Sequence, residues 1–495
     1  MEIVLSRKNM NKCENLALQN GVTLEKTIRD SAKGVFDSYA FKSRVAIVCG
    51  NSNNAAIGYA LASLLKDNKI GVTLFLIEEK FSKIGKQLFD ECVSKKIPYH
   101  LIEKGTNFGS YSSIVDAIYG INFNGDLKDL DLKVVNKINA AKKKVISIDI
   151  PSGLNADNGI CSNAVHSYLT VALSSYKIGH FLHDAKDYIE HLTCAPLGYP
   201  ILDDSIKLYE EKDVKKLLGK RSNNSDKGDF GYVSIMGGSV EYSGSVKLAS
   251  MGLSALLSGC GVSRICVPEP IAIGLIPYVL ESTIFPMPSK DGKIRFDKEY
   301  ILSAIDKTKA LLVGIGWGKS PEYSKIIKWL LRNYNKPIIF DADGINTLAN
   351  MDLNELKGAQ GKIIITPHVK EFSRISKIRE KDIMNDPIKK VKDFAKKYNI
   401  IVLLKGPTTV ISDGEQTLLV NRGVAGMATA GSGDILSGIL VGLLGYNKPD
   451  INTVAASAFI NGYAGEIAES KSNSFSMIAR NTVKCIPDAI TKITK

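Results

Sequence analysis

The chain alternates short runs rich in Val, Ile and Leu with segments of helical spacing, and this alternation constrains the fold more than any other feature. In the first third, residues 44–50, 70–77 and 113–120 have the composition of strands, whereas 56–68 and 86–96 have apolar residues at helical intervals. Strands that alternate with helices in this way form parallel βαβ units, with helices on both faces of the sheet. The sequence therefore predicts an α/β protein.

A polar stretch, "LYEEKDVKKLLGKRSNNSDKGDFG", separates this region from a second series of strand-like runs. Its end is dense in Ser, Asn, Asp and Gly, which is typical of a loop between domains. Because 495 residues exceed the length of one ordinary domain, we expect two doubly wound domains, residues 1–212 and 213–495. The strands of the second domain are predicted at 231–238, 310–316, 337–344, 362–368, 400–406 and 408–414.

Composition narrows the class of partner. The formal net charge is +13, but the lysines are scattered; they form either a solvated basic surface or a field that attracts anionic substrates. Without a basic stripe interleaved with aromatic residues, we expect no nucleic-acid binding. Eight cysteines without a CxxC pair indicate reduced thiols. The N-terminus is no signal peptide, and the longest apolar run, 435–444, is shorter than the roughly 18 residues of a membrane span. We therefore expect a cytoplasmic protein that does not bind membranes.

The stretch "ATAGSGDILSGILVGLLGY" places one carboxylate at the start of an almost wholly apolar helix. Gly431 and Gly433 flank Ser432 in a turn that leaves backbone N–H groups unpaired at the positive end of the helix dipole. Without side chains at the glycines, an anion can approach closely. Two interpretations of Asp434 follow. It caps a buried helix, or it takes the proton from a hydroxyl that attacks a phosphoryl group held by those amides.

Other polar side chains of the second half follow strands, where open α/β sheets bind ligands. "KGPTTV" places Lys405 and the hydroxyls of Thr408 and Thr409 where they would contact nucleotide phosphate or ribose. "TPHVKEF" places His368 at another strand end. "DADGIN", residues 341–346, ends a strand with two carboxylates, which either position Mg²⁺ through water or serve as turn and capping residues.

Taken in order, these motifs make the second half resemble the ADP- or ATP-dependent NAD(P)HX dehydratases, which have a ribokinase-like fold. The resemblance rests on "GYVSIMGGSVEYSGSVKLAS", "VGIGWG", "DADGIN", "TPHVKEF", "VLLKGPTTV" and "MATAGSGDILSGI". It implies repair of nicotinamide cofactors that have been hydrated at C6. The nucleotide phosphorylates the S hydroxyl, and phosphate is then eliminated.

The resemblance implies a role for each matching position. Asp434 is expected to act as the base and to contact the hydrated nicotinamide. Ser245, Gly316 and His368 are expected to line the same NAD(P)HX site, with serine at 245 where the family usually has alanine. The residues after His368 are Val-Lys, where Pro-Gly is usual. The adenine nucleotide, ADP or ATP with Mg²⁺, is expected beside Lys405, Gly406, Pro407, Thr408, Thr409 and Gly433.

The first half resembles the NAD(P)HX epimerases, which interconvert the two C6 stereoisomers, and fusion of the two enzymes is a known arrangement. The resemblance implies a Rossmann-like three-layer sandwich. The family signature NNGGDG is "NNAAIG" here, with Ile57 in place of the aspartate. Asn54, Asp116 and Ser152 match the potassium-binding pattern. The residues expected to contact NAD(P)HX are Asn53, Asn54, Gly58, Gly120, Asp149 and Lys177.

Several alternatives stay open at this stage. The second half would use the same base and anion-binding turn as a kinase for a small hydroxylated vitamin or sugar. The first half would then be a nucleotide-binding domain without turnover, an interpretation favoured by Ala55, Ala56 and Ile57. For the leading interpretation we expect NADHX, NADPHX and an adenine nucleotide as small-molecule partners, K⁺ in the N-terminal domain, and a homo-oligomer. In "HFLHD", we expect His180 and His183 on the surface.

Overall fold

The computed structural model of the protein describes residues 1–203, 205–250 and 254–495. The chain divides into two compact units. One comprises Ile3–Ile206, and the other comprises Lys207–Lys495 together with Met1–Glu2. Strands and helices alternate in both, so the predicted α/β class is confirmed.

The elements between residues 2 and 208 are given in chain order. The strands are β1 Glu2–Leu5, β2 Val45–Cys49, β3 Val72–Leu76, β4 Tyr99–Leu101, β5 Ser113–Ala117, β6 Lys144–Ile148, β7 Ser167–Leu173, β8 Tyr176–Lys177, β9 Ile189–Ala195 and β10 Ile206–Leu208. The helices are α1 Arg7–Gln19, α2 Leu24–Ser38, α3 Asn53–Asp67, α4 Lys83–Ser94, α5 Asp129–Ala140 and α6 Ala185–Tyr188, with a 3₁₀ turn at Ile178–His180.

The N-terminal sheet is wholly parallel, in the order β4-β3-β2-β5-β6-β7-β9. Residues of α2, α3 and α4 form the core on one face, and residues of α5 form the core on the other. This is the three-layer sandwich that the resemblance implied. The strand order reverses between β2 and β5, and a crevice for ligands is expected beyond the carboxyl ends of strands at such a point.

The second unit contains more elements. Its strands are β11 Tyr232–Met236, β12 Val262–Pro268, β13 Thr283–Met287, β14 Ser289–Lys290, β15 Lys293–Ile294, β16 Thr308–Val313, β17 Ile338–Phe340, β18 Ile363–Ile365, β19 Ile401–Leu404, β20 Thr409–Ser412 and β21 Thr417–Val420. Its helices are α7 Glu211–Leu218, α8 Ser243–Ser250, α9 Ser254–Leu257, α10 Glu269–Leu275, α11 Lys298–Ala304, α12 Glu322–Asn333, α13 Asp343–Leu348, α14 Val369–Ser376, α15 Glu380–Asn385, α16 Pro387–Tyr398, α17 Ser432–Leu444, α18 Ile451–Ser470 and α19 Ala479–Thr494, with 3₁₀ turns at Ile276–Tyr278, Leu353–Gly358 and Ala425–Met427.

The main sheet of this unit runs β13-β12-β11-β16-β17-β18-β19-β20-β21. Pairing is parallel from β13 to β19 and antiparallel for β20 and β21. The strand predicted at 408–414 is therefore present, but it returns along β19 as a hairpin instead of continuing the βαβ pattern. The strand order reverses between β11 and β16, and a crevice for ligands is expected at the strand ends there.

Helix α17 is buried along almost its whole length. Every residue from Ile435 to Leu444 is buried, and only the first turn, up to Asp434, is partly exposed. A helix that is apolar all round belongs inside a core, and α17 packs between α18 and the helices α8 and α9. Within the described residues, no helix has the length and apolar character that crossing a membrane requires.

Gly231 provides a test of the packing between the start of β11 and the end of α17. Its φ is +74°, and a Cβ there would lie 2.0 Å from the carbonyl oxygen of Gly445. Because a backbone oxygen cannot move aside and alanine avoids positive φ, we expect Gly231→Ala to lower the free energy of unfolding by more than about 1 kcal/mol. Urea unfolding followed by tryptophan fluorescence measures this loss, since Trp317 and Trp329 both lie in this unit.

The matched control is Gly274→Ala in α10, where a Cβ would have no heavy atom within 4 Å. It should leave stability unchanged or raise it by about 0.5–1 kcal/mol, the usual helical preference for alanine over glycine. Equal losses in the two variants would contradict the packing described here.

Candidate functional site

Asp434 lies in the first turn of α17 but does not cap it. The N-cap is Gly431, whose φ is 91°, and no side chain accepts a capping hydrogen bond there. The interpretation of Asp434 as a simple helix cap is therefore wrong. Ser432 donates from its hydroxyl to the carbonyl oxygen of Met427 at 2.7 Å, which fastens the turn. The first-turn amides, which lack intrahelical acceptors, form the positive end of the helix dipole beside the Asp434 carboxylate.

A lysine and a second aspartate lie against this turn. The Nζ atom of Lys405, at the end of β19, donates to Oδ1 of Asp341 at 2.9 Å. The other carboxylate oxygen of Asp341 accepts from the Ser437 hydroxyl at 2.7 Å, so the pair is tied to α17. A Cβ on Gly433 would lie 3.4 Å from Lys405 Nζ. The ammonium group is therefore next to the amides of the glycine turn, where it would add positive charge for an anion.

These surroundings shift the pKa of Asp434. Burial, together with the charge of Asp341, raises the pKa of Asp434 to about 7, against the lowering effects of a hydrogen bond with Ser245 and of the Lys405 charge. Burial alone would lower the pKa of Lys405, but the charges of Asp341, Glu371 and Asp434 outweigh burial and raise it. The site thus combines a permanent cation with a carboxylate that gains and loses its proton near neutral pH, which suits a general base.

His368 is fixed at the N-cap of α14. Its Nδ1 accepts hydrogen bonds from the amides of Lys370 and Glu371 at 3.1 and 3.3 Å, and the Glu371 carboxylate accepts from the His368 amide at 2.9 Å. Because Nδ1 is an acceptor, Nε2 carries the proton of the neutral ring. The backbone of His368 pairs with Lys405 in a parallel bridge, so the imidazole, which is 51% exposed, stands beside the charged cluster.

Gly316 lies against Ser245, which adjoins Asp434. Gly316 has a φ of +61°, and a Cβ there would lie 2.6 Å from the carbonyl oxygen of Tyr242 and 3.0 Å from Cβ of Ser245. Ser245 in turn hydrogen-bonds to Asp434. The structure therefore brings together the residues predicted to line the NAD(P)HX site: Ser245, Gly316, His368 and Asp434.

The residues between β19 and β20 that were expected to bind nucleotide differ in their exposure. Gly406 and Pro407 are exposed beyond Lys405, and Thr409 begins β20. The Thr408 side chain is buried, and its hydroxyl donates to Asn421 at 2.9 Å. The side chain of Thr408 is thus engaged in supporting the loop, which leaves the neighbouring backbone as its means of contact with a ligand.

The two carboxylates of the "DADGIN" turn have structural partners. Asp341 pairs with Lys405, as described, and Asp343 accepts a hydrogen bond from the amide of Gly318 at 2.7 Å. Ala342 between them has a φ of 49°, a conformation that alanine rarely adopts; its amide donates to Asp341 Oδ1 at 2.9 Å. Of the two interpretations of this motif, the geometry favours the turn and capping role.

The N-terminal unit contains a second polar cluster at the ends of β2, β5 and β6. Asp116 is fully buried and accepts hydrogen bonds from the hydroxyl and amide of Ser152 at 2.6 and 2.8 Å. Asn54 donates to the carbonyl oxygens of Tyr119 and Ile148 at 2.6 and 3.2 Å, and the Tyr119 amide donates to the Ser152 hydroxyl at 2.9 Å. The predicted potassium ligands Asn54, Asp116 and Ser152 therefore belong to one network.

A cavity of about 420 Å³ lies beside this network. Among the residues expected to contact NAD(P)HX, it is lined by Asn53, Asn54, Gly120, Asp149 and Lys177. Gly58 lies elsewhere. A Cβ on it would be 2.9 Å from Cβ of Ala117 and 3.2 Å from Sγ of Cys49, so its role is the close packing of α3 against the sheet.

The departures from the family signature have unequal effects. Ala55 and Ala56 are buried in the core that α3 forms with the sheet, so their methyl groups are accommodated by packing. Ile57 lines the cavity. Of the three replacements within this signature, that of the family's aspartate by Ile57 is the one on the cavity wall.

Asp149 and Lys177 form a buried ion pair in the cavity. Lys177 Nζ donates to Asp149 Oδ1 and also to the carbonyl oxygen of Leu173 at 2.7 Å. Asp149 Oδ1 also accepts from the Leu173 amide at 3.0 Å, and the residue has a φ of 68°. This backbone conformation, unusual outside glycine, directs the carboxylate at Lys177.

His180 supports the same pair, contrary to the expectation that it lies on the surface. It is buried, its Nε2 donates to the Asp149 carbonyl oxygen at 2.8 Å, and its Nδ1 accepts from the Lys177 amide at 3.0 Å. Burial, assisted by the Lys177 charge, lowers the pKa of His180 to about 4, so the ring is neutral. The sequence contained no signal for this role, because the spacing in "HFLHD" gives no indication of burial.

Comparison with known families matches both halves of the chain. Residues 233–488 match the family described as NAD(P)H-hydrate dehydratase, and residues 16–179 match the family of YjeF-related protein N-termini. The C-terminal part is similar to a ribokinase-like superfamily protein from Enterococcus faecalis, with a TM-score of 0.51 and 20% identity, covering 59% of this chain and 98% of that one. These matches confirm the ribokinase-like fold.

A second solved structure has the same fold. It is the ADP/ATP-dependent NAD(P)H-hydrate dehydratase from Bacillus subtilis, with a TM-score of 0.51, 23% identity and coverage of 59% of this chain and 100% of that one.

Two relatives align over nearly the full length, and both are named bifunctional NAD(P)H-hydrate repair enzyme Nnr. The one from Dictyoglomus turgidum is 31% identical, over 91% of this chain and 90% of its own. The one from Coxiella burnetii is 28% identical, over 97% of each chain. The chain therefore belongs to the family of bifunctional NAD(P)H-hydrate repair enzymes.

Proposed function

We propose that residues 213–495 dehydrate S-NAD(P)HX to NAD(P)H, coupled to hydrolysis of ADP or ATP, and that residues 1–212 interconvert the R and S forms. The observation that carries the first assignment is the Asp434 carboxylate, with its pKa of about 7, in the first turn of α17 beside Lys405. Family membership supports both assignments.

In the first step, Asp434 accepts the proton of the C6 hydroxyl as the hydroxyl oxygen attacks the terminal phosphorus of the nucleotide. The bond from phosphorus to the bridging oxygen breaks, and AMP leaves when the nucleotide is ADP. The transferred group carries negative charge, which the Lys405 ammonium and the amides of the glycine turn stabilise. Gly433 lets the phosphate approach, because it places no side chain between Lys405 and the turn.

In the second step, the phosphorylated oxygen leaves C6 as inorganic phosphate while C5 loses a proton, and the C5–C6 double bond of the reduced nicotinamide forms again. The hydrated nicotinamide ring is assigned to the site formed by Ser245, Gly316 and His368. Ser245 holds Asp434, Gly316 allows close approach of the turn after β16, and the exposed Nε2–H of His368 donates to a substrate oxygen.

Mg²⁺ and K⁺ are both part of the proposal. Mg²⁺ is usually held by one or two carboxylates, often through water, together with nucleotide phosphates. Glu371, whose carboxylate lies 4.0 Å from Lys405 Nζ, would be such a carboxylate, whereas both oxygens of Asp341 are already engaged by Lys405 and Ser437. When bound, Mg²⁺ neutralises phosphate charge.

In the N-terminal unit, the amide oxygen of Asn54, the carboxylate of Asp116 and the hydroxyl of Ser152 fit a hard cation such as K⁺, which would stabilise the turns that form the cavity. A homo-oligomer also remains a prediction.

A kinase for a small hydroxylated vitamin or sugar would use the same base, lysine and glycine turn. The products separate the two functions. With S-NADHX and ADP or ATP, the dehydratase restores the absorbance of reduced nicotinamide and releases phosphate in equal amount. A kinase would instead leave a stable phosphorylated substrate and no recovery of absorbance.

Replacing the proposed base tests the assignment of Asp434. We expect Asp434→Asn to lower the turnover of S-NADHX by about 10²-fold or more, because general base catalysis contributes that much, while the adenine nucleotide still binds. Turnover is measured by recovery of reduced-nicotinamide absorbance, and nucleotide binding by calorimetry. Glu299→Gln, an exposed carboxylate in the first turn of α11, is the control and should retain full turnover. Full turnover in Asp434→Asn would reject its role.

The pH dependence gives a second test. A base must be deprotonated, so kcat/KM for S-NADHX should be maximal above the Asp434 pKa of about 7 and fall tenfold per pH unit below it. The hydrogen bond from Ser245 lowers the pKa of Asp434, so Ser245→Ala should move this limb of the profile to higher pH. A limb that stays in place or moves to lower pH would contradict the assignment.

Interconversion by the first half is tested with the full-length chain in the absence of nucleotide, when dehydration cannot proceed. We expect it to equilibrate R- and S-NADHX faster than buffer alone, measured by chromatographic separation of the two forms. A rate equal to that of buffer would leave the first half as a binding domain, the alternative that Ile57 favours.

A further inference from the structure

We propose that Glu14 is a catalytic acid of the N-terminal cavity and works together with Asp149 as the base. The inference deepens the proposed epimerase function and depends on it. Glu14 belongs to α1 and was not among the residues expected to contact substrate. It lines the same cavity of about 420 Å³ as Asp149 and Lys177.

The placement of Glu14 follows from the face of α1 on which it lies. Met10, four residues earlier and therefore one turn away on the same face, also lines the cavity. Cys13 and Ala17 are buried and adjoin this face. The side chain of Glu14 is itself only partly exposed. α1 therefore packs against its unit with this carboxyl group directed at the cavity.

The carboxyl group of Glu14 differs from that of Asp149 in its contacts. Asp149 Oδ1 accepts from both Lys177 and the Leu173 amide, so its contacts are those of a hydrogen-bond acceptor. For Glu14, burial and the charge of Asp149 raise the pKa, with Lys177 partly opposing them; in the described part of the chain, no hydrogen bond contributes to this shift. The cavity therefore contains one carboxyl group held in the acceptor form and a second one that keeps its proton more readily.

Inversion at C6 requires such a pair, because a hydroxyl must leave one face of the ring and another must add to the opposite face. Glu14 donates its proton to the C6 hydroxyl, the C6–O bond breaks, and water leaves while the lone pair of the ring nitrogen forms a C6–N1 double bond. Water then adds to the other face of C6 and gives a proton to Asp149. One proton passes from Glu14 to Asp149, and exchange with solvent or the reverse reaction restores both groups. Lys177 neutralises Asp149 between turnovers.

Lys177, Tyr119 and Tyr199 also line the cavity and carry dissociable protons. The Tyr119 hydroxyl donates to Asp131 at 2.6 Å, and burial raises its pKa above the ordinary value. Two N–H groups of Lys177 are already engaged by Asp149 and the Leu173 carbonyl. Burial raises the pKa of Tyr199 above its ordinary value of 10. Glu14 is therefore the group whose proton is both available and acidic enough to assist departure of the hydroxyl.

The test uses full-length protein without nucleotide and follows conversion of R-NADHX to S-NADHX. We expect Glu14→Gln, which keeps the shape but removes the acid, to lower kcat by about 10²-fold or more with KM changed by less than about threefold. Glu14→Asp should recover part of the rate, since it restores the acid on a shorter side chain. Glu103→Gln, an exposed carboxylate of the same unit, is the matched control and should behave as wild type.

The outcomes separate the inference from the function on which it rests. A wild-type chain that does not exceed buffer rejects the epimerase function and this inference with it. An active wild type with an equally active Glu14→Gln variant rejects only the role of Glu14. If Glu14→Gln raises KM in proportion to its loss of kcat/KM and leaves kcat unchanged, Glu14 binds substrate and is not the acid. A Glu14→Asp variant no faster than Glu14→Gln also overturns the inference.

Discussion

The ion pair between Lys405 and Asp341 is the interaction on which the C-terminal site depends. It joins the ends of two parallel strands, and through Ser437 it joins both to α17. A charge pair removed from water is retained only when its remaining hydrogen-bonding atoms are satisfied, and here Ser437 and the Ala342 amide complete the shell of Asp341. The same pair also acts on Asp434: burial is the main cause of its raised pKa, the charge of Asp341 adds to the rise, and that of Lys405 opposes it. Structure and reactivity therefore depend on the same contacts.

The N-terminal unit also contains a buried carboxylate–lysine pair, supported by different residues. Asp149 and Lys177 again pair a carboxylate with a lysine at the ends of parallel strands, and a backbone residue at positive φ again stands at the turn. Here the supporting group is a neutral histidine, His180, which bonds to the backbone of both partners. In the N-terminal unit the cavity adjoins the point where the strand order reverses, whereas in the C-terminal unit the charged pair follows β17 and β19. The sheet therefore dictates where a site forms, and the side chains at the strand ends dictate its chemistry.

Much of the fold was predictable because central parallel strands are buried on both faces and appear as continuous apolar runs. Val45–Cys49 and Ile363–Ile365 are of this kind. The edge strand Thr283–Met287 was not predicted, since it contains a proline and is half-exposed. The antiparallel direction of Thr409–Ser412 was also missed, because the direction of a strand depends on partners distant in sequence.

The site was predictable where a motif combined glycines with a charged residue, as at Asp434 and Lys405. Ser437 was missed because one hydroxyl within an apolar helix gives no sign of its partner 96 residues away. Glu14 was missed because it lies on a largely polar helix whose packing is visible only in three dimensions. Gly58 shows the opposite limit: it was expected to contact the ligand, but it lies away from the cavity and allows α3 to pack closely against the sheet.

The burial of α17 has a consequence for how the C-terminal site can move. Every side chain of this helix after Asp434 is enclosed in the core, and close-packed interiors resist sliding. Asp434, the proposed base, therefore lies at the start of a helix that is held rigidly by the core. Adjustment to a bound dinucleotide is therefore expected in the segments that carry Ser245, Gly316 and His368, which are the start of α8 and the turns after β16 and β18.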